Sequence, residues 1–154
     1  MSGLVLELLP ERLAISRLGP EEPWPAWADG PGLVSLTRSE RELSVVCPQA
    51  RVPAGVAGRP GWRALRVAGT LDLGLVGVMA GLLAPLTAAG VSVFTLATHD
   101  TDYLLVGEDG LGRALAALAA AGFRVPPASA ARLTGPGGKN IITDQTSTHA
   151  EDNR

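Results

Sequence analysis

Four consecutive residues, His99-Asp100-Thr101-Asp102, form the densest set of side chains able to do chemistry in this 154-residue chain. An imidazole and two carboxylates at that spacing could ligate a metal. Asp and Thr are equally at home in a tight turn, where their side chains bond to nearby backbone, and the turn is the reading favoured here. A second candidate is the junction Gly69-Thr70-Leu71-Asp72-Leu73-Gly74. It leads into an apolar helical pattern. Asp72 there can cap the helix or accept a hydrogen bond from a ligand's ammonium group. Helix-start amides at Gly74 and beyond can hold a carboxylate. An anion site beside a cation site is what a zwitterionic amino acid needs.

Other candidates carry less. Cys47 is the single cysteine, so neither an intramolecular disulfide nor a cysteine-rich zinc site is possible. It closes an alternating strand just before Pro48, and a buried, inert thiol is expected. Gly135-Pro136-Gly137-Gly138-Lys139-Asn140 has glycines and a lysine but not the spacing of a phosphate loop, and no buried strand precedes it. Leu111-Gly112-Arg113 is no dinucleotide fingerprint. The only other histidine is His149. No catalytic set assembles, so neither an enzyme nor a bound cofactor is expected.

Composition narrows the classes. An apolar fraction of 46% is enough for a packed core, and the length allows one domain or two small ones. A net charge of −2 gives no electrostatic reason to expect nucleic acid or an anionic membrane. The opening MSGLVLELLPER has no basic stretch and soon meets Glu7, so no secretory leader is expected and the default compartment is cytoplasmic. Leu73 to Ala89 carries no charge, but it is short for a span, holds three glycines and a proline, and runs straight on into a strand. It reads as a buried helix.

The elements that must position these residues follow from punctuation and period. Leu4–Leu9 and Arg12–Leu18 read as strands joined by a turn at Pro10-Glu11, and a hairpin is expected. The segment Glu21 to Trp27 is too rich in proline for more than one helical turn, with Trp24 and Trp27 expected to cap a core edge. Leu33–Arg38 and Glu42–Cys47 read as a second hairpin. Gln49 to Gly61 is expected to be a loop dividing a strand-rich first half from a second half of different plan. There a strand at Trp62–Ala68, with one wet face, leads to a helix after Leu73, then strands at Val91–Ala97 and Tyr103–Val106. A helix over Leu111–Ala121 and a strand at Phe123–Val125 complete the order β-α-β-β-α-β. It is the ferredoxin-like arrangement of the α+β class. Gly74, Gly77 and Gly81 share a helical stripe, at a cost of about 1 kcal/mol each relative to alanine. Pro85 is expected to kink the helix and Gly90 to end it. From Pro126 to Arg154 composition turns to Ala, Gly, Pro, Ser and Thr, and a mostly disordered tail is expected, docking at most through Ile141-Ile142.

The stretch DLGLVGVMAGLLAPLTAAGVSVFTLATHDTDYLLV resembles the ACT domain, a small amino-acid-sensing module. The likeness runs through Gly90-Val91-Ser92-Val93-Phe94, Leu96, Thr98 and Thr101 to Val106. Leu8 to Ala14, Glu42 to Pro48 and Gly61 to Val67 are similar to the ACT pairs of CASTOR-type arginine sensors and their bacterial relatives. The resemblance covers residues 3–125. It implies two tandem ACT-like units, a degenerate, helix-poor one at 3–61 and a complete one at 62–125, with the tail at 126–154. It also implies that a free amino acid lies between ACT units, against Ser92 and Val93 and the loop Asp72-Leu73-Gly74. Thr98, Asp100 and Asp102 would then face the ligand, and His99 and Asp100 a partner. The aspartates would suit a cationic side chain. His99 stands where relatives often carry an aromatic residue. A homodimer would restore the four-unit arrangement of the sensors. The function so implied is a cytoplasmic regulatory protein that signals an amino acid by population shift to a partner protein, without nucleic acid or membrane. The rival expectation is a ligand-free module for dimerisation or docking.

Overall fold

The computed structural model describes residues 3–127. The expected tail lies, beyond Pro127, outside the described residues, as do the Gly135–Asn140 run, Ile141-Ile142 and His149. The described chain is a mixed α/β fold around one curled antiparallel sheet. Its strands are β1 (Leu6–Leu8), β2 (Leu13–Leu18), β3 (Ser35–Arg38), β4 (Leu43–Pro48), β5 (Gly58–Val67), β6 (Val93–Ala97) and β7 (Asp102–Gly107). Two helices, α1 (Val78–Ala88) and α2 (Leu111–Ala120), follow β5 and β7. The main path of the sheet runs β3-β4-β2-β5-β7-β6.

The strand β5 is the spine. Its N-terminal half pairs with β2, its C-terminal half pairs with β1, and its other edge carries β7. The expected hairpin of the first two strands is therefore not formed. Although Pro10-Glu11 turns the chain, β1 lies in register with Leu65–Val67 and β2 lies beside β4. The β3–β4 hairpin is as expected. Pro60 and Gly61 stand inside β5 rather than in a loop. Between Leu13↔Trp62 and Ile15↔Arg59 the register shifts by one residue, and that bulge absorbs them. Gly61 takes φ +81° and its N–H donates to Gln49 Oε1 at 2.9 Å. A bulge is where a strand tolerates proline.

The β-α-β-β-α order of the second half is present, but its last strand is not the expected one. Only Arg124 makes a bridge, and it is parallel to Val5. The place beside β5 is taken by β1, brought from the start of the chain. The two halves thus share one continuous sheet.

Alternation along β5 assigns its two faces. Leu65 and Val67 meet α1 and α2 through Leu82, Leu86, Ala114 and Leu118, all fully buried. Trp62 and Ala64 face the other way. That face is wet only at its end, where Arg66 lies part-exposed beside Glu7; Ala64 packs with Leu13, Val46 and Leu105 where the sheet curls onto itself. Trp62 and Phe94 lie tilted there with ring centroids 6.4 Å apart. A third cluster joins Ala28 to Leu43, Val45 and Cys47, with Trp27 half-buried against it. Trp24 does not cap that core. It is 58% exposed, with the Arg38 guanidinium stacked 4.8 Å from its ring centre.

Both helices end in the same device. At α1, Gly90 takes φ +68°, its N–H donates to the Thr87 carbonyl, and the Val91 N–H donates to that of Leu86. At α2, Gly122 and Phe123 repeat the pattern onto Ala119 and Leu118. This is the Schellman arrangement, which satisfies the last carbonyls with a left-handed glycine.

Candidate functional site

The start of α1 differs from the expected one, and the difference shapes the site. The helix begins at Val78, with Gly77 at its cap in the left-handed region, φ +83°. Residues 68–77 are a loop. Asp72 is therefore not a helix cap, and the Gly74 amide is not a helix-start donor. The Asp72 carboxylate instead accepts the Gly74 N–H at 2.7 Å, and the Leu75 N–H donates to the Asp72 carbonyl at 2.9 Å. Of the three glycines on the expected stripe only Gly81 lies within the helix, so most of the predicted helical cost does not arise.

The tight turn joining β6 to β7 is held by its threonines. The Thr98 N–H and hydroxyl both donate to the Thr101 carbonyl at 2.9 Å, and the Thr101 N–H returns a bond to Thr98 Oγ1 at 3.2 Å. The Thr101 hydroxyl, buried, donates to the Val67 carbonyl at 2.6 Å. The Leu71 N–H donates to the Asp100 carbonyl at 2.7 Å. These last two bonds tie the turn to the end of β5 and to the loop after it.

Between loop and turn lies a cleft of about 200 Å³. Asp72 and Leu73 line one wall, and Thr98, His99, Asp100 and Asp102 the other, with Leu71, Leu75, Val78 and Thr101 completing it. The structure thus brings together most of the predicted ligand residues. Gly74 stands next to it, bonded to Asp72. Ser92 and Val93 do not line it. They sit at the far end of β6, roughly 17 Å away along an extended strand. Leu71, Leu75, Val78 and Thr101 were not among the expected site residues. The alternation of apolar and acidic residues in Leu71-Asp72-Leu73 was the signal that could have found the apolar wall.

The cleft is acidic: Asp72, Asp100 and Asp102 line it with no Lys or Arg among its walls. His99 Nδ1 lies 2.7 Å from Asp100 Oδ1, both side chains well exposed. Such a site can accept hydrogen bonds from an ammonium or guanidinium group. Among the described residues no three His, Cys, Asp or Glu side chains converge as a metal site would require. Cys47 is fully buried; burial pushes its thiol up, with Arg51 pulling the other way. It is remote from the cleft in the fold, on β4. A second, shallow hollow surrounds Trp24, Arg38 and Glu40.

Comparison with known proteins agrees with this architecture. Residues 58–120 match the family model of the ACT domain. A second family model, an N-terminal domain, matches residues 11–55. The chain is 36% identical to protein Atu0741 from Agrobacterium tumefaciens, with a TM-score of 0.77, covering 81% of this chain and 93% of that one. VC0802 from Vibrio cholerae, described as a possible transport protein, superposes with a TM-score of 0.60 at 19% identity, over 77% and 90% of the two chains. The regulatory subunit of aspartate kinase from Thermus flavus does so with 0.58 at 12% identity, over 79% and 99%. Those two likenesses concern the fold alone. No curated protein sequence matches. Among the described residues no helix is long and apolar enough to cross a membrane. With its helices on one face of the sheet and its cleft between the loop after β5 and the turn after β6, this chain carries an ACT domain at residues 58–120 and belongs to the same family as Atu0741.

Proposed function

We propose that this protein is a regulatory sensor that binds a free amino acid in the cleft between residues 71–78 and the Thr98–Asp102 turn. The observation that supports the reading is the placement of Asp72, Asp100 and Asp102 around one cleft in an ACT domain, a module that is usually regulatory and amino-acid-binding. The ligand's ammonium group meets carboxylates, and a cationic side chain suits the same wall. Binding ties the loop to the turn more firmly and so favours one packing of the molecule. A cytoplasmic partner protein reads that packing, and no catalysis is involved. In this reading the N-terminal strands form the degenerate unit of a tandem ACT pair, and the protein works as a homodimer.

Thermal unfolding against a panel of the common amino acids tests it. A ligand at about 100 times its dissociation constant stabilises by roughly 2.7 kcal/mol, several degrees for a chain of this size. Asp102→Ala and Asp72→Ala should abolish the shift while leaving the ligand-free melting point within a degree or two. The absence of a shift with every amino acid would sink the sensor.

One observation favours a second reading. Leu73, Leu75 and Val76 are 75%, 56% and 92% exposed, which suits a ligand-free docking module whose contact is this loop with His99 and Asp100. Partner capture that is independent of ligand and lost on changing His99 or Asp102 would select it.

A further inference from the structure

We infer that the hollow around Trp24 docks an arginine-bearing segment of another protein, taken up between the indole and the carboxylates of Glu21 and Glu40. Trp24 leaves 58% of its surface in water, yet it is firmly held. Pro23 and Pro25 fix the backbone on either side of it. Arg38, the last residue of β3, stacks 4.8 Å from the ring centre. Both terminal nitrogens of Arg38 are tied back to the same segment, one donating to the Pro20 carbonyl and the other to the Glu22 carbonyl at 2.7 Å. A ring braced in the open has little freedom left to lose on binding, and that is what favours a docking anchor. Tryptophan is also among the residues that carry most energy at protein interfaces.

The charges around the ring select the occupant. Glu21, Glu22 and Glu40 line the hollow with a single cation, Arg38, whose outer donors are turned inward as described. The Glu22 carboxylate is used locally, accepting the Gly19 N–H at 3.0 Å. Glu21 and Glu40 enter no ion pair among the described residues. Glu40 stands at the tip of the β3–β4 turn, which is fixed by Ser39: its N–H donates to the Glu42 carbonyl at 2.9 Å and its hydroxyl oxygen accepts the Arg41 N–H at 3.2 Å. Two carboxylates held beside an exposed aromatic ring attract a cation and repel phosphate. That disfavours nucleic acid and an anionic lipid surface as occupants.

A guanidinium fits this pair of features best. It is planar, stacks on an aromatic face and bonds a carboxylate through two N–H groups at once. Arg38 covers one side of the ring, and the exposed remainder offers the other. The hollow is shallow and open, whereas a small-molecule site encloses most of its ligand. The arginine therefore comes attached to a polypeptide, whose neighbouring residues add the rest of the contact. The site shares no residue with the acidic cleft. It lies at the β3 end of the sheet, and the turn after β6 lies at the other. The inference therefore does not rest on the sensor reading.

Nuclear magnetic resonance of the full chain tests it, with a capped pentapeptide of alternating glycine and arginine as the probe. The Trp24 indole N–H signal, identified by its loss in Trp24→Phe, should move on titration, while those of Trp27 and Trp62 stay in place. The glutamate counterpart of the peptide should move none of them. Glu21→Gln and Glu40→Gln, both at exposed positions, should each weaken binding about two- to fivefold. Circular dichroism should show native structure in both variants. Added salt should weaken binding to the wild type more than to the double variant. A Trp24 signal unmoved up to about 10 mM arginine peptide would overturn the proposal. So would movement confined to the Leu71–Asp102 cleft, or binding indifferent to both glutamines. Movement of the Trp24 signal with protein concentration alone would give the hollow to a second copy and overturn it as well.

Discussion

Thr101 shows how much one side chain contributes to the cleft. Its hydroxyl reaches from the β6–β7 turn to the Val67 carbonyl at the end of β5, in a buried position. Thr101→Val keeps the shape and removes the bond. It should lower stability by about 1–2 kcal/mol in urea unfolding, the cost of a buried hydrogen bond lost, and it should weaken any amino-acid response by loosening the turn that carries Asp100 and Asp102. At this scale the sequence was informative about residue types. The turn chemistry of His99-Asp100-Thr101-Asp102 could be read from Asp and Thr propensities alone. The role of Asp72 could not. A capping aspartate and an Asx-type turn start from the same residue, and only the position of the helix start, five residues further on at Gly77, distinguishes them.

Glycines mark where elements stop, and the structure allows a clean measure of that. Gly90 has open space around its missing side chain, so Gly90→Ala meets no clash. Its whole effect is the left-handed backbone, φ +68°, and a loss of about 1–2 kcal/mol is expected in thermal or chemical unfolding. The ends of α1 and α2 were legible for this reason: Gly90 and Gly122 each follow an apolar helical period. Helix α2 was legible in its position, and its buried residues Ala114 and Leu118 lie four apart on one face, although Ala119, which the helical period also sets on that face, is exposed. The beginning of α1 was not, because Leu73, Leu75 and Val76 extend the apolar pattern back through a loop where they are exposed. Periodicity reports which residues avoid charge, and an uncharged surface can mimic a buried face. The strand limits of β5 were hidden by Pro60 and Gly61, residues that signal a loop in sequence and a bulge in this sheet. The pairing of β1 with β5 had no local signal, since the adjacency of β1 and β2 favours a hairpin on sequence distance alone.

The molecule as a whole is bound by its single sheet. Leu6 in β1 and Leu43 in β4 are both fully buried, in clusters at different parts of the fold. If the shared sheet makes the described chain one cooperative unit, Leu6→Ala and Leu43→Ala should each shift the same unfolding transition, by about 2–5 kcal/mol. Circular dichroism and tryptophan fluorescence should then report a single coincident midpoint. Two separable transitions, one moved by each variant, would show instead that the tandem units unfold independently. The insertion of β1 next to β5 also has a meaning in time. During synthesis β1 leaves the ribosome early, while its partner residues Leu65–Val67 follow nearly sixty positions later. At about 5–20 residues per second that is a wait of roughly 3–12 s. For that interval Leu6 and Leu8 are apolar residues on a nascent chain without the strand they pair with, and β1 cannot take its place in the sheet before Leu65–Val67 are made.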